Sequence, residues 1–116
     1  MVHLAAIVNP GRDADLEYRV DVEGSRNVLD ACLEAGVRRV VVSSSGAAYG
    51  YHADSPAWLQ ETDAVRGNDE FPYARHKRLV EEMLAELRET RPELEQVVFR
   101  IGTILGPTVQ NQITAL

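Results

Sequence analysis

Two groups of residues have the types and spacing to hold and move a proton: the run Ser43-Ser44-Ser45, and the pair Tyr73 and Lys77, four positions apart. On a helix that spacing puts both side chains on one face, roughly 6 Å apart along the axis. A free tyrosine, with a pKa of about 10, is a poor base at neutral pH. An ammonium beside it favours the phenolate by Coulomb attraction. A tyrosine so tuned accepts a proton from a substrate hydroxyl or returns one to a carbonyl. Ser45 would hydrogen-bond the same oxygen and hold it in place. An isolated Tyr-x-x-x-Lys is also what an ordinary surface helix carries. Context separates this pair from that reading, because it follows a serine cluster, opens a helix and precedes a strand ending in Arg100.

The elements around these residues can be read in order. Val2-His3-Leu4-Ala5-Ala6 reads as a short buried strand, followed by a turn at Asn9-Pro10-Gly11. A helix is expected from about Asp13 to Ala35, with Val22, Leu29 and Leu33 on one face, Val28 and Cys32 beside them, and Gly36 as its stop. Val37 to Ser43 is β-branched and reads as a strand buried on both faces. A loop of about 25 residues follows, a length that in a compact domain is usually functional or disordered. Pro72 suits the first turn of a helix that runs from Tyr73 to about Thr90, with Val80, Leu84 and Leu87 at helical spacing and Met83 beside them. Gln96 to Ile101 is a third strand, and Gly102 to Pro107 leads outward.

Strands alternating with helices predict parallel strands joined by helical crossovers, an α/β fold. In such open sheets ligands bind beyond the carboxyl ends of the strands. That rule points to Ala5-Ala6, to Ser43-Ser44-Ser45 and to Ile101-Gly102-Thr103. Small residues there leave room for a ligand, and equally for close packing of strand against helix.

The bulk composition narrows the function classes. With 116 residues, 45% hydrophobic and 26% charged, the chain is one globular domain or part of one. A net charge of −6 argues against a nucleic-acid or anionic-membrane surface, since the basic residues are interleaved with acids as on a solvated helix face. No apolar run approaches the roughly 20 residues of a membrane span. The opening Met1 to Val8 lacks a basic flank, so no targeting segment is read there. The single cysteine, Cys32, fits a small core residue and a reducing compartment, so a cytoplasmic protein is expected. Three histidines without paired spacing predict no metal site. His3 reads as a satisfied core residue, His76 as pointing away from Tyr73, and His52 as a loop residue within reach of substrate.

Five segments, in order, resemble the extended short-chain dehydrogenase/reductases, the NAD-dependent epimerase/dehydratases. They are Val2-His-Leu-Ala-Ala6; Asp21-Val-Glu-Gly-Ser25 with Asn27-Val-Leu; Val42-Ser-Ser-Ser-Gly-Ala-Ala-Tyr-Gly50; Tyr73-Ala-Arg-His-Lys77; and Phe99-Arg-Ile-Gly-Thr-Ile-Leu-Gly-Pro107. The resemblance covers nearly the whole chain. It implies a partial Rossmann-type parallel sheet with covering helices: three strands and two long helices of a larger doubly wound domain. It implies Tyr73 as catalytic acid/base, Lys77 bonding the nicotinamide ribose, and Ser45 orienting the reacting oxygen. Ala5 and Ala6 would line the cofactor channel, Ser43 would lie beside the nicotinamide, and Ile101 would close over its ring. Leu4, Ser44 and Arg100 belong to the same expected cofactor surface.

The implied cofactor is NAD or NADP, and the implied partner is a small-molecule substrate such as a nucleotide sugar. No nucleic acid or membrane partner is expected, and a homodimer would form through the two long helices. Residues 1–116 are expected to be the C-terminal part of a NAD(P)-binding Rossmann domain, without the first glycine-rich βαβ unit and the C-terminal substrate-binding part. The family's Gly-x-x-Gly-x-x-Gly turn does not occur in these residues. On that reading the parent protein is an oxidoreductase or epimerase-like enzyme, and this piece alone is inactive. Asp21 stands where the family often has Asn, which also admits a non-catalytic dinucleotide-binding or regulatory relative. A serine hydrolase fits poorly, because Val42-Ser-Ser-Ser-Gly46 lacks the leading glycine of a nucleophile elbow.

Overall fold

The computed structural model describes residues 1–8, 11 and 13–108. Three parallel strands form one sheet in the order β1 (Val2–His3), β2 (Arg39–Ser45), β3 (Glu95–Ile101). Between β1 and β2 the chain is helical throughout residues 14–34: α1 (Ala14–Tyr18), a π-helical stretch (Arg19–Glu23) and α2 (Gly24–Glu34). A 3₁₀ turn (Gly46–Tyr49), a long loop and α3 (Pro72–Thr90) connect β2 to β3. The sheet with its covering helices is the Rossmann-like α/β arrangement.

Local chemistry explains the element ends. Asp13 caps α1 by accepting the Leu16 N–H at 2.9 Å, and Gly36, at φ 64°, closes α2 with its N–H on Leu33 O. Within the helical run the Gly24 N–H reaches back five residues to Arg19 O, and the Ser25 hydroxyl donates to Asp21 O. Pro72 occupies the first turn of α3, where its missing N–H costs nothing.

Several expectations need correction. The first strand is Val2–His3 rather than Val2 to Ala6, and Val2 and Leu4 are exposed. The second strand begins two residues later than expected and takes in Ser44 and Ser45, because each of them finds a β3 partner, in register with Arg100 and Ile101. That strand is not buried on both faces. Val40, Val42 and Ser44 are buried beneath the helices, whereas Val41, Ser43 and Ser45 are only half-buried, since no described residue stacks a helix on that side. Asn9 and Pro10 of the expected turn lie outside the described residues.

The core lies between the sheet and the helices: Leu29 and Cys32 of α2, Val40 and Val42 of β2, Val80, Met83 and Leu84 of α3, and Leu94 before β3. Val28, Leu33 and Leu87 pack at its edge. The apolar face of each helix is therefore the one its periodicity indicated.

Candidate active site

Strand alternation sorts the residues of the sheet ends. Ser43 and Ser45 sit on one face of β2 and Ser44 on the other. Beyond the carboxyl ends of β1, β2 and β3 opens a cleft of about 630 Å³ lined by Leu4, Ala6, Ser43, Ser44, Ser45, Tyr73, Lys77 and Ile101. Val8, Gly46, Tyr51, Phe71 and Thr103 are also part of its wall. Thr103 lies at a strand end that the sheet rule indicated and Gly46 follows the serine run, whereas Val8, Tyr51 and Phe71 carry no spacing signal of their own and are brought there by the chain's path.

The helix start holds the two central residues on the cleft side. The Lys77 ammonium donates to the Ser43 carbonyl at 2.9 Å and lies 5.6 Å from the centre of the Tyr73 ring. Burial pulls the Lys77 pKa below its ordinary value, while the carboxylates of Asp21 and Glu81 oppose that shift. The Ser45 Oγ accepts the Ala47 N–H at 3.1 Å, capping the 3₁₀ turn. Its own proton remains available for another acceptor in the cleft. Phe71 stacks in tilted fashion against both Tyr51 and Tyr73, with centroids 5.9 and 6.2 Å apart, which fixes the loop edge beside the tyrosine.

Two residues expected on the cofactor surface turn their side chains away from it. Ser44 reaches the cleft, but its hydroxyl donates to Glu81 of α3 on the helix side of the sheet. Arg100, its neighbour on β3, donates to both Glu81 oxygens at 2.7–3.1 Å. It also donates to the Tyr49 hydroxyl at 2.7 Å and to Glu61 O at 3.0 Å. The Glu81 bonds push the guanidinium pKa further up, so it stays a cation. The residue numbers 44 and 100 share the alternation that turns them toward α3. Tyr49 in turn donates to Gln60 O at 2.9 Å, so this network pins the long loop to the sheet. Gly67 seats the loop against α3, where a Cβ would come within 2.2 Å of the Ala74 carbonyl.

Ala5, expected to line the cofactor channel, does not line this cleft; it is exposed and borders a small adjoining space with His3, Asp21, Ser25, His76 and Lys77. His3 bonds the Ser25 hydroxyl at 2.9 Å and is a satisfied buried residue, as its strand position suggested. His52 bonds Arg66 O at 2.8 Å and does not line the cleft. His76 does turn away from Tyr73; it lies buried against Asp21. Among the described residues, no three His, Cys, Asp or Glu side chains gather as a metal site, and no helix is long and apolar enough to cross a membrane.

The family model for the NAD dependent epimerase/dehydratase family matches residues 1–116. The chain belongs to that family. It is 29% identical over 116 residues to a UDP-glucose 4-epimerase of Erwinia amylovora, a match covering 97% of this chain and 34% of that protein. The UDP-glucose 4-epimerase from Brucella ovis, solved in complex with NAD, superposes with a TM-score of 0.70 at 32% identity, covering 85% of this chain and 30% of that one. The UDP-Glc/GlcNAc 4-epimerase from Campylobacter jejuni gives 0.74 at 26% identity over 85% of this chain and 30% of its own. The chain thus spans about a third of the length of the curated relatives it matches.

Proposed function

We propose that this family member serves an NAD(P)-dependent oxidoreductase or epimerase-like enzyme in which Ser45, Tyr73 and Lys77 form the reaction centre, acting on a nucleotide sugar or a related hydroxyl or carbonyl compound. The observation that carries this reading is their convergence in one cleft, with the Lys77 ammonium 5.6 Å from the Tyr73 ring. The cleft suits the nicotinamide riboside half of a dinucleotide. Ala6 and Gly46 leave room for a ring, Ile101 offers an apolar wall, and Lys77 offers an ammonium to ribose hydroxyls. No Gly-x-x-Gly-x-x-Gly turn occurs in the 116 residues.

A bound nicotinamide ring supplies the hydride acceptor and donor. The chain's own residues do the rest. Ser45 donates its free hydroxyl proton to the substrate oxygen and fixes its position. Tyr73 exchanges a proton with that oxygen as the carbon is oxidised or reduced. Lys77 stabilises negative charge on the phenolic oxygen by Coulomb attraction.

The relatives of this chain include proteins named for UDP-sugar epimerisation, which supports a nucleotide sugar as substrate class. We place residues 1–116 within a NAD(P)-binding domain whose further segments cover the open face of the sheet. We also read the groove between α2 and α3, about 530 Å³ and lined by Tyr18, Val22, Leu79 and Met83 with charged residues at its rim, as a homodimer surface.

Tyr73→Phe in the full-length protein tests the centre. NAD(P) binding should persist while turnover on a panel of UDP-sugars falls by at least about 100-fold. Undiminished turnover would remove Tyr73 from the reaction. Dinucleotide binding by the wild-type protein without turnover of any panel member would assign it instead to the non-catalytic relatives.

A further inference from the structure

Asp21 sits in the widened π-helical turn and is engaged from two directions. Its Oδ1 accepts the Ile7 N–H at 2.7 Å, and its Oδ2 meets Nδ1 of His76 at 2.9 Å. The two side chains are 6% and 2% exposed, and Tyr18 packs edge-on against the imidazole with centroids 5.7 Å apart. A carboxylate only accepts, so Nδ1 carries the proton. Nε2 is buried and without a partner among the described residues.

The two ends of this arrangement matter. Ile7 follows Leu4–Ala6, the exit of β1 into the cleft, and His76 immediately precedes Lys77 on α3. One carboxylate therefore ties the backbone at the strand exit to the helix that carries Tyr73 and Lys77, across a sequence separation of 55 residues. An asparagine at position 21 would bridge the same two groups only with the other tautomer of His76. Its single oxygen would take the Ile7 N–H and its NH₂ would face Nδ1, forcing the ring proton onto Nε2, where no acceptor waits. With Asp21 the carboxylate accepts from both Ile7 and the protonated Nδ1, and Nε2 is left as an unprotonated nitrogen rather than as an N–H without an acceptor.

We propose that Asp21 and His76 are positioning residues: a buried hydrogen-bonded clasp that sets the spacing between the β1 exit and the reaction helix, and through it the fit of the nicotinamide cofactor. The cofactor part rests on the function proposed above. The clasp is tested in the full-length protein with His76→Phe, which keeps the ring and removes the donor, and His76→Asn, whose NH₂ overlays Nδ1.

Titrated with NAD⁺, His76→Phe should weaken binding at least about tenfold, roughly 1.4 kcal/mol. His76→Asn should return to within about threefold of wild type, a rescue that a purely space-filling role would not produce. Asp21→Asn added to His76→Phe should cost little more than His76→Phe alone, since the same bond is already broken. Unchanged affinity in His76→Phe, no rescue by His76→Asn, or multiplying effects in the double variant would each overturn the proposal. Hydrogen exchange at the Ile7 amide decides the clasp independently of any ligand. It should quicken at least about tenfold in His76→Phe, because the carboxylate that holds it loses its second anchor. An unchanged Ile7 rate would sink the clasp, whereas a wild-type protein that binds no NAD⁺ but shows the exchange effect would sink only the proposed function.

Discussion

On the side of the sheet covered by α2 and α3, Val40 and Val42 are buried and the polar side chains of the strand ends are paired: Ser44 and Arg100 on Glu81, Arg100 again on Tyr49. On the opposite side, Val97, Phe99 and Ile101 of β3 are 37%, 56% and 44% exposed, and Val2 and Leu4 lie open beside β1. Both sides are apolar in sequence, as parallel strands are when both faces end up covered. The difference shows that the described helices complete only one layer. The residues proposed for chemistry gather where the two sides meet, at the strand ends, with backbone held from the packed side and functional groups aimed at the open one.

Glu81 offers the strongest test of that contrast. Glu81→Ala leaves the Arg100 guanidinium and the Ser44 hydroxyl without their acceptor, and breaking such a pair costs about 3–5 kcal/mol. Urea unfolding should show a loss of that order, and a loss under about 1 kcal/mol would mean that the polar network does not hold the packed side. Next comes a matched pair. Leu84→Ala, at a fully buried α3 position, should cost about 2–5 kcal/mol, whereas Phe99→Ser in this chain should cost under about 1 kcal/mol. Equal losses would show that the open side is covered in solution.

A smaller effect concerns pH. Burial, helped by the positive charge of Lys77, lowers the His3 pKa from its ordinary value of 6.5. The unfolded chain therefore takes up a proton that the folded one refuses, and stability should fall as pH drops below about 6.5. His3→Gln should flatten that slope in melting temperatures measured across the range, and an unaltered slope would deny His3 its part. The smallest change is expected at the exposed Arg39–Glu95 pair linking β2 and β3, where Arg39→Ala should cost only about 0–1 kcal/mol.

Legibility differs between elements for physical reasons. The helices could be read because burial on one side repeats every three to four residues, so Val22, Leu29 and Leu33, and Val80, Leu84 and Leu87, each mark a face. The first strand was overestimated: its apolar letters continue to Ala6, but pairing with β2 stops after His3. Asp21 read as a departure from the family pattern, because its partner His76 is remote in sequence and only packing brings them together. Ser44 and Arg100 resembled site residues by type and place, yet alternation gives their side chains to Glu81.

From the amino-acid order came the α/β alternation and the pairing of Tyr73 with Lys77 on one helix face, because periodicity and spacing are local properties that the chain carries before it folds, and the resemblance of five motifs pointed to the family and to Ser45. The tertiary structure decided which face each strand-end residue presents, how the long loop is tied down through Tyr49 and Arg100, and that Asp21 meets His76. Those depend on register and on helix placement, where a shift of one residue exchanges the two faces of a strand and no local pattern records the partner across the fold.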